Sequence, residues 1–125
     1  MKKALTIVVR YSCARRQFGE SKDKEDQIWE YSMQRYRILP FLASSFAYHF
    51  LCKWQYQIYQ EVYQRSLKGD VSDEYLQMNA EIHAISSGAK PICTWTAKDL
   101  IQEARQCCGG EASKKNSNKF FTFIN

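Results

Sequence analysis

Two stretches of this 125-residue chain gather side chains able to bind an anion or a nucleotide. The first is Arg10-Tyr11-Ser12-Cys13-Ala14-Arg15-Arg16-Gln17-Phe18-Gly19. Arg15 and Phe18 stand three apart, the spacing of neighbours on a helix face, so a guanidinium is expected beside an aromatic ring. The guanidinium fork pairs with phosphate oxygens, and the ring can stack on a base. The plainer alternative is an amphipathic helix whose Arg10, Arg15 and Arg16 complement the dipole at its C-terminal end. The second stretch is Gln102-Glu103-Ala104-Arg105-Gln106-Cys107-Cys108-Gly109-Gly110. Paired glycines usually end a helix, but they also let a ligand or a second backbone approach closely.

Other chemistry is poorly supported. Cys13, Cys52, Cys93, Cys107 and Cys108, with His49 and His83, form no Cys-x-x-Cys or His-x-x-x-His spacing. Adjacent Cys107 and Cys108 do not easily turn to one ion, and zinc needs about four ligands, so no metal site is expected. No thiol is marked as activated by a histidine. The cysteines read as small buried thiols and the histidines as core or rim residues. The odd cysteine count, its wide spread and the want of a secretory leader favour reduced thiols in an intracellular compartment.

The elements that must position these residues are helical. The length suits one domain, and 14% aromatic with 25% charged residues is a globular composition. Two prolines and five glycines are too few turns for a β-sandwich. A first helix is expected over roughly 3–17, with Ala4, Ile7, Val8, Tyr11, Ala14 and Phe18 on its apolar face and Gly19 ending it. After a charged loop at 20–25, a long helix is expected from about Asp26 to Leu67, kinked at Pro40. Its stripe of Leu39, Leu42, Ala43, Phe46, Phe50 and Trp54 is the expected core. Lys68-Gly69-Asp70 makes the turn, and Ser72 caps a third helix that runs to about Cys108 with a kink near Gly88 and Pro91.

The fold class is therefore all-α, an up-down bundle of three long helices, incomplete because three helices leave apolar surface to be covered. The longest uncharged stretch of the apolar middle, Ile38 to Cys52, is fifteen residues, short of the about 20 that a membrane span requires. The formal net charge of +5 divides as +5 over residues 1–24, −2 over 25–110 and +2 over 111–125. No helix-turn-helix, zinc-finger or RNA-binding pattern accompanies the basic ends, so a phosphate-bearing small molecule is a better partner than nucleic acid. Residues 111–118 are Ser-, Lys- and Asn-rich and lead into Phe120-Phe121-Thr122-Phe123-Ile124, which reads as a linker and a sticky terminus.

Taken together and in order, Arg10 to Gly19 (RYSCARRQFG), Gln34 to Tyr48 (QRYRILPFLASSFAY), Glu81 to Gly88 (EIHAISSG), Thr94 to Ala97 (TWTA) and Cys108-Gly109-Gly110 resemble the C-terminal helical domain of the peroxisomal acyl-CoA oxidases. Lys90 to Gly110 looks closest to the branched-chain, pristanoyl type. The resemblance covers residues 1–110, and 111–125 reads as a divergent, disordered tail. It implies FAD-dependent oxidation of an acyl-CoA to the trans-2-enoyl-CoA, with O2 reduced to hydrogen peroxide. It also implies that Arg15 holds the FAD pyrophosphate of a neighbouring subunit, that Gln17 and Phe18 line the adenosine side, and that Gly109, Gly110 and Gln106 lie close to the same cofactor.

The departures from that pattern carry expectations too. The family continues after Cys-Gly-Gly with His-Gly-Tyr and later a glutamate that removes the substrate α-proton, whereas here Glu111-Ala112-Ser113-Lys114-Lys115 follows. No catalytic residue is therefore expected, since Glu111 stands in the wrong segment. The reading is a fragment of an oxidase, inactive alone and binding FAD weakly. The alternative is a helical module that pairs with a full-length oxidase subunit. The family is peroxisomal, but the chain ends Phe123-Ile124-Asn125 without a Ser-Lys-Leu-like address, which leaves the cytoplasm open.

Overall fold

The computed structural model describes residues 1–19 and 25–113, and these are all-α. The three α-helices are α1 (Lys2–Ala14), α2 (Ser32–Leu67) and α3 (Asp73–Cys107). Short 3-10 turns at Ile28–Glu30 and Gly109–Ser113 precede α2 and follow α3. Positions 20–24 of the charged loop expected at 20–25, and 114–125 of the tail expected at 111–125, lie outside the described residues, whereas 111–113 of that tail belong to the second 3-10 turn. No described helix is long and apolar enough to cross a membrane.

The chain divides into two compact units. The first comprises Met1–Ser45 with Thr96–Asn125 and holds the main core: Leu5 and Val8 from α1, Ile38 from α2, and Leu100, Ala104, Cys107 and Cys108 from the end of α3. Of the face expected for α1, Val8 is buried and Ala4 and Tyr11 pack partly buried against the core, but Leu5 and Ser12, which were not on that face, are buried too, so the buried face is rotated toward them. In this unit the start of α2 lies beside the end of α3, joined by an ion pair from Arg37 Nε to Glu103 Oε2 at 2.7 Å.

The second unit, Phe46–Trp95, is the far end of α2 turning back into α3, with Val62 and Ile82 buried. Its turn is a helix stop followed at once by a helix start. The Asp70 amide donates to the Arg65 carbonyl (3.2 Å) and the Gly69 amide to that of Ser66 (3.0 Å), the paired bonds of a Schellman motif, with Gly69 at φ +70°. Asp70 Oδ1 then accepts from the Ser72 amide at 2.9 Å, which lowers the Asp70 pKa, and Ser72 Oγ accepts from the Tyr75 amide at 3.3 Å as the expected N-cap. Arg65 reaches Glu74 of α3 at 3.1 Å and Glu61 at 3.2 Å, bracing the two helices where they meet.

Three sequence expectations are corrected. The first helix stops at Ala14 rather than 17: Arg15 is extended (φ −75°, ψ 128°), so Gly19 does not cap it and its last turn holds no basic residue. The cause is non-local, because the chain from Arg15 to Phe18 pairs with 26–28. The Gln17 amide donates to the Asp26 carbonyl (2.9 Å), the Asp26 amide to the Phe18 carbonyl (2.8 Å) and the Ile28 amide to the Arg15 carbonyl (3.0 Å). That pairing also delays α2 to Ser32. Finally, the stripe read as core is not buried. Leu39, Phe46, Phe50 and Trp54 are 44–62% exposed, and Ile38 is the residue that α2 puts in the main core. Helices α2 and α3 run on through Pro40 and Pro91.

Candidate functional site

The first unit carries a cleft of about 430 Å³ between the segment after α1 and the end of α3. Tyr11, Arg15, Gln17 and Ile28 line one side, Gln34 enters from α2, and Gln106, Cys107, Cys108, Gly109 and Gly110 close it from the other. Such a volume lies within the about 300–1,000 Å³ of small-molecule sites. Five of the six expected cofactor-binding residues, Arg15, Gln17, Gln106, Gly109 and Gly110, thus share one cleft although more than 85 positions separate the two groups in sequence.

Phe18 is the exception. It does not line the cleft and is 72% exposed, in a left-handed conformation (φ 59°) that non-glycine residues seldom adopt. With α1 ending at Ala14, the shared Arg15–Phe18 helix face does not exist. Arg15 instead sits on extended backbone, its side chain exposed and its guanidinium without a hydrogen bond or ion pair among the described residues. Its neighbour Arg16 is used locally, donating from a guanidinium nitrogen to the Glu25 carbonyl at 3.1 Å. Tyr31 Oη donates to the Gln17 carbonyl at 2.9 Å, which fixes the backbone of this strand-like segment.

Gly109 ends α3 in the left-handed conformation (φ +58°), which a side chain would strain. A Cβ built on either Gly109 or Gly110 would meet nothing within 4 Å, so no part of the described chain presses on this turn and its backbone faces open space. The two thiols before it are buried and neutral. Burial pushes Cys108 up to about 11, with Cys107 beside it adding to the shift, and burial also raises Cys107, where Arg37 opposes and Glu103 assists. Neither behaves as an activated nucleophile.

The sequence reading missed Gln34. Its Nε2 donates to Ser12 Oγ at 2.9 Å and more weakly to the Cys107 carbonyl at 3.4 Å, tying α1, α2 and the end of α3 together behind the cleft. Ser12 is fully buried, and its own hydroxyl donates to the Val8 carbonyl at 2.7 Å, so Oγ is left to accept. The only signal was that Gln34 heads one of the five ordered motifs. His49 and His83 lie in the second unit, both exposed, and Cys13 and Cys52 are exposed rather than buried.

Residues 1–120 match the family model described as "Acyl-CoA oxidase, C-alpha1 domain". The chain is 42% identical over 109 residues to acyl-coenzyme A oxidase acox-3 of Caenorhabditis elegans, covering 86% of this chain and 16% of that protein. It is 38% identical over 110 residues to the human peroxisomal acyl-coenzyme A oxidase 3, covering 88% and 16%. Among solved structures, acyl-CoA oxidase1 from Yarrowia lipolytica superposes with a TM-score of 0.84 at 30% identity, over 98% of this chain and 19% of that one. Acyl-CoA oxidase-1 of Caenorhabditis elegans, complexed with FAD and ATP, superposes with a TM-score of 0.79 at 31% identity, over 98% and 18%. The chain therefore spans about a sixth of the length of the curated relatives it matches.

Proposed function

Because this chain belongs to the acyl-CoA oxidase family, matching its C-alpha1 domain, we propose that it forms the adenosine and pyrophosphate side of an FAD site. The observation that carries this reading is the convergence of Arg15, Gln17, Gln106, Gly109 and Gly110 on one cleft. The residues fit that portion of the group. Arg15 offers a guanidinium fork, unengaged among the described residues, for phosphate oxygens, and the open Gly109-Gly110 turn offers backbone that a ligand can approach. Phe18 belongs to the proposed site only by family resemblance, and stacking on the adenine would require it to turn toward the cleft.

With Arg15, Gln17, Gln106, Gly109 and Gly110 holding it, FAD would supply the two-electron oxidation of an acyl-CoA to the trans-2-enoyl-CoA, with O2 as the final acceptor and hydrogen peroxide as the product. The residues of this chain bind and orient in this reading, and among the described residues that line the cleft none is a carboxylate. In this reading the base belongs to the segment that the family carries after Cys-Gly-Gly, where this chain has Glu111-Ala112-Ser113 instead. Residues 1–110 act as the helical domain in this reading, the compartment is the peroxisome of the named relatives, and the domain works in a dimer in which it faces a neighbouring subunit's FAD. The test is to mix the purified chain with FAD and a long-chain acyl-CoA, following flavin fluorescence and peroxide. Flavin quenching without peroxide is expected. Peroxide above background would refute the assignment of the base elsewhere, and unquenched flavin would refute the cofactor site.

A second reading rests on a different observation. In the second unit Phe46, Phe50 and Trp54 follow one another at four-residue spacing on α2 and are 60%, 62% and 47% exposed. Such a row suits a non-catalytic module that pairs with a full-length oxidase subunit. Co-purification with an intact subunit, without flavin colour on this chain, would favour it.

A further inference from the structure

Gln106 lines the cleft, yet what holds its side chain lies outside it. Arg37, on α2, donates from a terminal guanidinium nitrogen to Gln106 Oε1 at 2.6 Å, and its Nε donates to Glu103 Oε2 at 2.7 Å. Glu103 and Gln106 are three apart on α3, so they share a face that one guanidinium fork can span. Arg37 does not line the cleft; it lines a separate cavity of about 400 Å³ with Tyr36 and Phe41.

The direction of the amide follows from this contact. A guanidinium has only donors, so the Gln106 atom facing it must be the carbonyl oxygen. The carboxamide is planar, so its NH2 is turned away from Arg37, and it has no partner among the described residues. Glu103 neutralises Arg37 and keeps its side chain in one arrangement, so what Arg37 delivers to the cleft is orientation rather than charge. Its hydrogen bond to Glu103 raises the already high pKa of Arg37, so this donor does not switch off with pH.

We propose that Arg37 is a positioning residue which, held by Glu103, fixes the Gln106 carboxamide so that its NH2 donates into the cleft, toward an acceptor oxygen of the FAD diphosphate or ribose. The ligand in this proposal rests on the FAD reading above, whereas the fixed amide stands on the geometry of the chain itself. The role is distinct from that of Arg15, which presents its own guanidinium at the cleft.

The test uses the 125-residue chain, Arg37→Met, Arg37→Lys, Gln106→Ala and the double variant Arg37→Met/Gln106→Ala, each first checked for folding by its melting curve. Lysine keeps the charge and a bond to Glu103 but not the fork. The Gln106 side-chain NH2 signals in 1H–15N spectra are expected to shift toward those of free glutamine in both Arg37 variants, while Arg37→Lys melts close to the parent. Titrated with FAD, Arg37→Met and Gln106→Ala are each expected to bind about tenfold more weakly, and the double variant no more weakly than Gln106→Ala alone. Unchanged Gln106 signals overturn the proposal, and so does a double variant whose loss is the product of the two single losses. A parent chain that binds no FAD refutes the cofactor reading instead, and the NH2 signals then decide the positioning by themselves.

Discussion

At the scale of single residues, one cleft gathers side chains from near both ends of the described chain. Arg15, Gln106, Gly109 and Gly110 stand in motifs that a reader of the sequence can pick out, and they do meet in space. What the sequence could not supply was the pairing of 15–18 with 26–28, which takes Phe18 out of the helix face on which it was expected. Gln34 was missed because its partners, Ser12 and the Cys107 carbonyl, are 22 and 73 positions away. Cys108 supports a prediction at this scale. Its thiol is raised from an ordinary 9.0 to about 11 by burial, so between those values the unfolded chain releases a proton that the folded chain keeps. Raising the pH in that window therefore favours unfolding. The melting temperature of the chain should fall from pH 9 toward pH 11, and Cys108→Ala should show a shallower fall whatever its starting stability. A parallel slope in the variant would mean that this thiol does not carry the effect.

At the scale of elements, local rules worked wherever both partners of a bond lie close in sequence. The turn between α2 and α3 was readable because Gly69, Asp70 and Ser72 each act on backbone within five residues. Two glycines there and in α3 should respond oppositely to the same change. Gly69 is left-handed at φ +70°, so Gly69→Ala should cost about 1 kcal/mol even though nothing obstructs the added methyl. Gly88 is inside α3 and also faces open space, so Gly88→Ala should gain up to about 1 kcal/mol. Urea unfolding of both variants checks this, and losses of equal size at the two positions would contradict it. The end of α1 shows the contrary case. Its apolar rhythm continues to Phe18, but three backbone bonds to the 26–28 segment engage the Gln17 amide and the Arg15 and Phe18 carbonyls, groups that another helical turn would have used, and the helix stops three residues early.

At the scale of the whole molecule, the described chain buries few large side chains for its length; in the second unit only Val62 and Ile82 are buried. The aromatic row of Phe46, Phe50 and Trp54 faces out instead. The isolated chain should therefore associate as its concentration rises, and Phe50→Lys should weaken that association without lowering the helical content. Sedimentation velocity with circular dichroism reads both quantities, and a parent that stays monomeric at every loading would refute the expectation. The sequence by itself determined the helical class, the turn at Gly69, the cap at Ser72 and the family, because these depend on periodicity, on short-range backbone bonds and on ordered motifs. Only the tertiary structure decided which face of each helix is buried, where α1 ends, and that Arg37 reaches across to Glu103 and Gln106. Those outcomes depend on contacts between residues distant in sequence, 66 to 73 positions for the hydrogen bonds of Arg37 and Gln34 to α3 and more for the core shared by α1 and α3, whose free energies override local preference and leave no periodic trace in the chain.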